Sequence, residues 1–359
     1  MTATRVLILY NQPVLATDHP DAASEHEILY TIEAVHTALT EARFTVARLG
    51  VSHDPLTLIQ GVKKFKPDVV FNLFEGTGDD GSNEAYAAGL LQWMNVPFTG
   101  CPAETLHLAR NKPLTKRILR SAGLPTADCV VLEDGDISDC ALEWPVIVKP
   151  GKQDASVGLD QGSVVTDREQ LEQRVLHLLD RFGPPVLVEE FIPGRELNVS
   201  LVELPELTVL PISEILFVGP NPGLWPIVTY DAKWRPESED YIATPPKYPA
   251  DVSPRLTKRL NHIAKEAFRL TGCRDYARVD FRVKPSGRPY VLEVNPNPDF
   301  SPDAGFSGTF QAMGLGHSGV AVQMVRNALA RKRQFPVVTT ASEPVFEIPR
   351  NGLMPVANL

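Results

Sequence analysis

From Asp275 to Ser301 the chain reads DYARVDFRVKPSGRPYVLEVNPNPDFS, and no other stretch limits the fold so tightly. Arg278, Asp280 and Arg282 alternate with Val279, Phe281 and Val283; after a turn at Lys284 to Pro289, Val291, Glu293 and Asn295 alternate with Tyr290, Leu292 and Val294. That is the period-2 pattern of two half-buried strands. A two-residue Ser286-Gly287 loop closes such a hairpin with Asp280 opposite Glu293 and Arg278 opposite Asn295. Two carboxylates about 5 Å apart on one sheet face repel each other unless a cation sits between them. Asp, Glu and Asn offer hard oxygen donors in an incomplete cage, which is how Mg²⁺ is usually held while phosphate oxygens and water complete its shell. The competing account is a set of solvated charges on an open sheet face. It must explain why three poor strand formers occupy the facing positions.

The 359 residues carry a formal charge of −9 and are 43% hydrophobic, enough for a sizeable core divided among two or three units. An acidic chain is a poor nucleic-acid binder, and no apolar run approaches a membrane span. Met1 to Tyr10 lacks the basic start and long apolar region of a signal peptide. Cys101, Cys129, Cys140 and Cys273 show neither CxxC spacing nor a disulfide framework, so the expected setting is the reduced cytoplasm, without zinc. The histidines form no HxxxH pair and there is no GxSxG elbow, which removes zincin and serine-hydrolase readings.

In chain order, an apolar strand at Val6 to Tyr10 leads to a helix expected to start at Ser24, where Ser24-x-x-Glu27 has the form of a capping box. Glu25 beside it is free either to bind a substrate ammonium or simply to complement the helix dipole. Strands near Phe44 to Leu49 and Asp68 to Phe74, with a helix at Pro55 to Phe65 between them, continue an open α/β layer. Gly76-Thr77-Gly78-Asp79-Asp80-Gly81 fits GxGxxG, but Asp79 and Asp80 would face a pyrophosphate with like charge and the motif does not follow the first strand. A second unit starts near Glu104, with a helix at Lys112 to Ser121 and a strand ending at Lys149, whose buried ammonium needs an anionic partner or a route to water. The small-residue loop from Gly151 to Gly158 can fold backbone N–H groups over phosphates, or be a plain hairpin loop ahead of a strand at Gly162 to Val165. Pro185 to Glu196 reads as a connector between lobes, with the acidic pair Glu189-Glu190 at a place where flat ligands lodge. Strands near Leu197 to Val202 and Val209 to Leu216 precede a long excursion, Gly219 to Pro254, whose Tyr230-Asp231-Ala232-Lys233-Trp234 has the mixture of a lid. Past the helices at Pro254 to Thr271 and Val320 to Arg331, the Pro-rich segment from Gln334 to Leu359 is expected to be loosely held.

Taken together, the ordered motifs resemble the ATP-grasp superfamily, and within it the D-alanine–D-alanine ligase-like branch, over nearly the whole chain to about Arg331. They are Ser24-Glu25-His26-Glu27, Gly78-Asp79-Asp80-Gly81, Pro97-Phe98-Thr99-Gly100, Asn111-Lys112, Val146-Ile147-Val148-Lys149-Pro150, Ser156-Val157-Gly158, Val188-Glu189-Glu190-Phe191-Ile192 with Glu196, Tyr230-Asp231-Ala232-Lys233, Arg278-Val279-Asp280 and Glu293-Val294-Asn295. The resemblance implies an α/β fold: an N-terminal open α/β domain (1–103), then a central (104–192) and a C-terminal (193–333) ATP-grasp subdomain that clamp ATP between their sheets, and a tail (334–359).

The resemblance further implies ATP phosphates on Lys112, Lys149 and Lys233 under the Ser156 loop, adenine at Glu189, Glu190 and the backbone near Ile192, and ribose at Glu196. It implies two Mg²⁺ ions (or Mn²⁺) on Asp280, Glu293 and Asn295, with Arg278 stabilising an acyl phosphate and oxyanion, Glu25 on the substrate side, and a homodimer. The implied reaction is a carboxylate–amine ligation on amino-acid-like small molecules. Departures gather on the substrate side. Ala155 and Trp234 stand where these ligases commonly pair serine with tyrosine, Phe74 or Glu75 replaces a histidine, and Ala304 beside Asp303 falls where a serine binds the second carboxylate, which leaves that group to Ser301, to Ser307 or to neither. The alternatives are a phosphotransferase on the same scaffold, a nucleotide-binding regulatory module, and a dinucleotide oxidoreductase built on the GxGxxG match.

Overall fold

The computed structural model describes residues 3–14, 22–77, 81–219 and 223–331, with residues 22–27 described by backbone alone. The chain starts as alternating strands and helices: β1 (Arg5–Asn11), α1 (Ala22–Glu41), β2 (Thr45–Val51), α2 (Pro55–Phe65), β3 (Val69–Leu73) and α3 (Asn83–Trp93). The strands form a parallel sheet in the order β2-β1-β3. All five residues of β3 are buried, as a strand covered on both faces requires. Helix α2 starts where Asp54 accepts from Leu56 N at 2.9 Å with Pro55 at its first position, and stops at Lys66 in the left-handed region. Helix α1 begins at Ala22, two residues earlier than the capping box implied, so Ser24 lies within its first turn rather than at its cap. The side chains of Ser24, Glu25 and Glu27, the loop residues 78–80 and the segment from Gln334 onward lie outside the described residues.

Two helices follow, α4 (Ala103–Arg110) and α5 (Lys112–Ser121), separated by Asn111, whose Oδ1 accepts from Leu114 N at 3.1 Å and starts the second. An antiparallel sheet ordered β4-β7-β5-β6 comes next, built from β4 (Cys129–Leu132), β5 (Val146–Pro150), β6 (Val164–Val165) and, after α6 (Arg168–Phe182), β7 (Val186–Glu190). Leu171, Val175 and Leu178, on one face of α6, pack on Val146, Val148, Val186 and Val188. The strand expected at Gly162 to Val165 is shorter than its pattern: Gln161–Ser163 form a 3₁₀ turn capped by Asp160, and only Val164 and Val165 pair with β5.

The third sheet is antiparallel and contains β8 (Arg195–Glu203), β9 (Leu207–Val209), β10 (Ser213–Ile215), β11 (Pro246–Lys247), β12 (Tyr276–Val283) and β13 (Pro289–Asn295). Its order is β11-β10-β8-β12-β13, with β9 also on β8. The single strand expected at Val209 to Leu216 is split into β9 and β10 around Pro211, which has no N–H to give a ladder. The excursion between β10 and β11 carries α7 (Tyr230–Trp234) and α8 (Glu239–Ile242); α9 (Pro254–Leu270), α10 (Gly305–Ala312) and α11 (His317–Ala330) complete the described elements. Leu260, Ile263, Ala264 and Ala267 of α9 bury one face of this sheet, and the same apolar cluster reaches Leu7, Leu9 and Leu91 of the first layer. A second cluster joins Ile8 and Ile32 to Phe300, Phe306, Phe310 and Met324.

The hairpin β12–β13 pairs Asp280 with Glu293 and Arg278 with Asn295, as expected, but by a different route. Its loop has three residues, 285–287, closed by Lys284 N donating to Arg288 O at 3.0 Å, with Gly287 at φ +79°. Three-residue hairpin loops need glycine at that left-handed position. The register would then be one residue off, except that a bulge beside Asp280 and Phe281 takes up Leu292 and sets Phe281 opposite Val291. The bulge also exchanges the two faces. Val291, expected beside the carboxylates, lies in the apolar core, while Leu292 turns to the cleft described next.

Candidate functional site

A cleft lies between the four-stranded and six-stranded sheets. Of the residues singled out from sequence, Lys112, Lys149, Ser156, Glu189, Glu190, Ile192, Glu196, Asp280 and Glu293 line it. Arg278 and Asn295 sit at its end on β12 and β13, and Lys233 on α7 lies close enough to feel the charges of Arg278 and Glu293. Glu25 belongs to α1, but its side chain is outside the described residues.

The floor of the cleft is an ionic triad. Glu189, 1% exposed in β7, pairs through Oε1 with Lys116 and through Oε2 with Lys149. Lys149 thus has both an anionic partner and an opening onto the cleft. Lys116 was not picked out from the sequence, although it stands four residues after Lys112 on α5, the spacing that puts two side chains on one helix face. Thr126 supports it by accepting from its Nζ, and donates in turn to Val291 O at 3.1 Å. Lys112 reaches Asp154 Oδ1 at 2.7 Å and Glu293 Oε2 at 3.5 Å. Burial alone would lower its pKa, but the charges of Asp154 and Glu293 raise it.

On the facing sheet, Arg278 grips Asp280 in a fork, Nε to Oδ1 at 2.7 Å and Nη2 to Oδ2 at 2.8 Å, and Asn198 Nδ2 donates to the same Oδ1 at 2.8 Å. The repulsion expected between Asp280 and Glu293 is therefore offset by the protein's own cations. Burial would raise the Glu293 carboxyl, yet Lys112, Arg278, Lys149 and Lys233 hold it down to about 2. Asn295 Oδ1 accepts from Asn297 N at 3.0 Å, which leaves its second lone pair. Among the described residues no three His, Cys, Asp or Glu side chains converge as a metal cluster. The oxygen set offered here is two carboxylates and one amide.

Two loops cover the cleft and are joined to one another. Trp234 Nε1 donates to Ala155 O at 3.0 Å, Ser156 Oγ to Val228 O at 3.0 Å and Tyr230 N to Leu159 O at 2.9 Å. Ala155 and Ser156 both take positive φ, +55° and +62°, followed by Gly158 at +78°. Left-handed backbone at consecutive non-glycine residues is strained and collects at ligand clamps. A Cβ on Gly158 would come within 2.8 Å of Phe182 and Pro150. The positions that sequence marked as departures, 155 and 234, still meet, with a backbone carbonyl in place of a side-chain hydroxyl.

Beside the first sheet, Phe74 is in the core while Glu75 lies exposed in the loop after β3 and its charge reaches Lys233. The same charge reaches Glu84 on α3. Asn297 Nδ2 donates to Glu84 Oε1 at 2.7 Å, and Tyr276 OH donates to Asn297 Oδ1. Burial raises Glu84 to about 8 against that hydrogen bond. Neither serine offered for a second carboxylate is open to one: Ser301 Oγ is bonded to Asp299 Oδ2 at 3.1 Å, and Ser307 is buried in α10. Asp303 is exposed and Ala304 stands at the N-cap of α10. No helix among the described residues is long and apolar enough to cross a membrane.

Comparison with known proteins agrees with this geometry. The model of the D-ala D-ala ligase C-terminus family matches residues 118–326, over half of the chain. The D-alanine–D-alanine ligase A of Mesorhizobium japonicum is 36% identical over 274 residues, covering 74% of this chain and 72% of its own. The D-alanine–D-alanine ligase of Desulforudis audaxviator is 31% identical over 86% of this chain and 96% of its own. An uncharacterized protein of Sinorhizobium fredii, y4sG, is 35% identical over 74% of this chain and 73% of its own. In fold, the chain superposes on a D-alanine–D-alanine ligase from Bacillus anthracis complexed with ATP with a TM-score of 0.72, at 20% identity, over 92% of this chain and 99% of that one. The chain belongs to the D-alanine–D-alanine ligase family of the ATP-grasp superfamily.

Proposed function

We propose that this ATP-dependent carbon–nitrogen ligase joins an amino-acid-like carboxylate to an amine through an acyl phosphate. The observation that carries the reading is the meeting of the two sheets at Lys112, whose ammonium lies against Glu293 while Lys149 and Arg278 add charge to the same carboxylate. This is a cationic phosphate cradle facing a carboxylate pair, the arrangement that phosphoryl transfer needs. The oxygen donors of Asp280, Glu293 and Asn295 fit Mg²⁺, and Glu293 stays ionised throughout the working pH range. Bound there, Mg²⁺ supplies neutralisation of the charge on the transferring phosphoryl oxygens.

The remaining work falls to the chain. Lys112, Lys149 and Lys233 hold the phosphates. Glu189, both of whose oxygens are taken by lysines, acts by fixing Lys149, so adenine rests on the backbone near Ile192 and on Leu292 rather than on that carboxylate. Glu196 accepts from the ribose. The substrate carboxylate attacks the γ-phosphorus in line, ADP leaves, and the amine then attacks the acyl carbon as phosphate departs. Arg278, oriented by its fork on Asp280, stabilises the oxyanion. The stitched loops keep water from the acyl phosphate.

The test is ADP release over a matrix of D- and L-amino acids as carboxylate and amine, D-alanine included because of the relatives' activity, with and without hydroxylamine. Turnover that needs both partners, and hydroxamate when the amine is omitted, is the expected result. ADP with one substrate and no hydroxamate would sink the acyl phosphate and point to a phosphotransferase. A second check concerns the lid: Trp234→Phe removes the bond to Ala155 O, worth about 1 kcal/mol, so ligation should slow about fivefold. ATP hydrolysis uncoupled from product should rise at the same time, and unchanged coupling would mean that the Trp234 bond does not hold the lid.

A further inference from the structure

Arg282 stands out among the side chains that line the cleft, because nothing in the reaction above uses it. It lies on β12 two residues past Asp280, so it projects from the same face, and it is 4% exposed. Its guanidinium is flanked by Phe191 and Phe217, with ring centroids at 5.7 and 5.4 Å. Nε donates to Ile192 O at 3.0 Å, Nη1 donates to Pro226 O at 3.0 Å, and Glu196 Oε2 lies 3.4 Å from Nη1. Nη2 is buried with no hydrogen-bond partner among the described residues. A buried, incompletely satisfied charge is costly, and an apolar residue of similar length would pack there more cheaply.

We propose that Arg282 is a positioning residue for the nucleotide: it aims the Glu196 carboxylate at the ribose diol and ties the connector at Ile192 to the loop at Pro226 that leads into α7. This rests on the ATP reading above and deepens it. A carboxylate accepts hydrogen bonds from both hydroxyls of a vicinal diol only when ionised and correctly turned. Glu196 faces Asp280 and Glu293, which disfavour its charge, as well as Lys149 and Arg282. Burial raises it to about 7, and Arg282 is the largest opposing influence. Without the guanidinium the carboxylate would lose the hydrogen-bonded partner that turns it and the largest influence favouring its charge. The connector would also lose its hydrogen-bonded link to the lid loop.

The experiment measures binding, which needs no knowledge of the ligase substrates. ATP, 2′-deoxy-ATP and 3′-deoxy-ATP, each with Mg²⁺, are titrated calorimetrically into the unsubstituted protein, Arg282→Met and Arg282→Lys between pH 6 and 9. The unsubstituted protein should prefer ATP over at least one deoxy analogue by about tenfold. Arg282→Met should weaken ATP by about the same factor, close that gap, and move the rise of affinity with pH to higher pH, since only ionised Glu196 takes both hydroxyls. Arg282→Lys, which keeps the charge but not the joint bonds to Ile192 O, Pro226 O and Glu196, should retain the pH profile and lose part of the preference. Equal weakening of all three nucleotides with the gap and profile intact would reduce Arg282 to packing and overturn the proposal. So would an unsubstituted protein that does not distinguish the three. Failure of the unsubstituted protein to bind ATP at all would overturn the nucleotide reading itself, and this one with it.

Discussion

Glu293→Ala is expected to lower substrate-dependent ADP release by about 10³-fold, because the carboxylate contributes about 4 kcal/mol to holding charge at the transferring phosphoryl group. The fold should survive the change. Glu293 is about one-third exposed, and Lys112, the cation nearest it, keeps Asp154 at 2.7 Å. Glu293→Gln preserves the shape and removes the charge, so it should fall nearly as far. Glu293 titrates at about 2, which means that the acid limb of a pH–rate profile between 5 and 7 must come from another group. Activity above a tenth of the unsubstituted level in either variant, measured at saturating Mg²⁺, would remove Glu293 from the metal and phosphate site.

A second large effect is expected in stability. Glu189→Gln leaves the ammoniums of Lys116 and Lys149 side by side in the interior without their counter-charge, which should cost about 3–5 kcal/mol in urea unfolding. ATP affinity should fall as well, since Lys149 is then free to turn away from the cleft. Lys116→Met alone leaves a one-to-one pair of Glu189 with Lys149 and should cost less. The double variant Glu189→Gln/Lys116→Met should recover part of the loss, because one of the two stranded cations is gone; their non-additivity measures the triad directly. A Glu189→Gln protein within about 1 kcal/mol of the unsubstituted one would show that the triad is solvated rather than buried.

Much of this site is local in the sequence. The alternation around Asp280 and Glu293 put both carboxylates on one face, because strand periodicity depends on near neighbours. The hairpin register was legible for a reason that was only half visible. A three-residue loop and a bulge at Leu292 cancel, and the bulge escapes any pattern reading because it answers to packing: Val291 is drawn into the core under α9. Likewise Asn111 marks a helix start in one dimension, whereas Pro211 splits an apolar run that looked continuous.

What the sequence by itself determined was the order of elements, the carboxylate pair on the hairpin, the lysines that face it and the family to which they point. The first two follow from short-range periodicity and capping, the lysines and the family from the resemblance that the ordered motifs carry. Tertiary structure alone decided who partners whom. Lys116 meets Glu189 from another element, Arg278 forks onto Asp280, Asn297 reaches Glu84 across the chain, and Trp234 takes the carbonyl of Ala155. Such pairings arise because burial removes water as the competing partner, so each charged or polar group must be answered by whatever the packing of sheets and helices brings within reach.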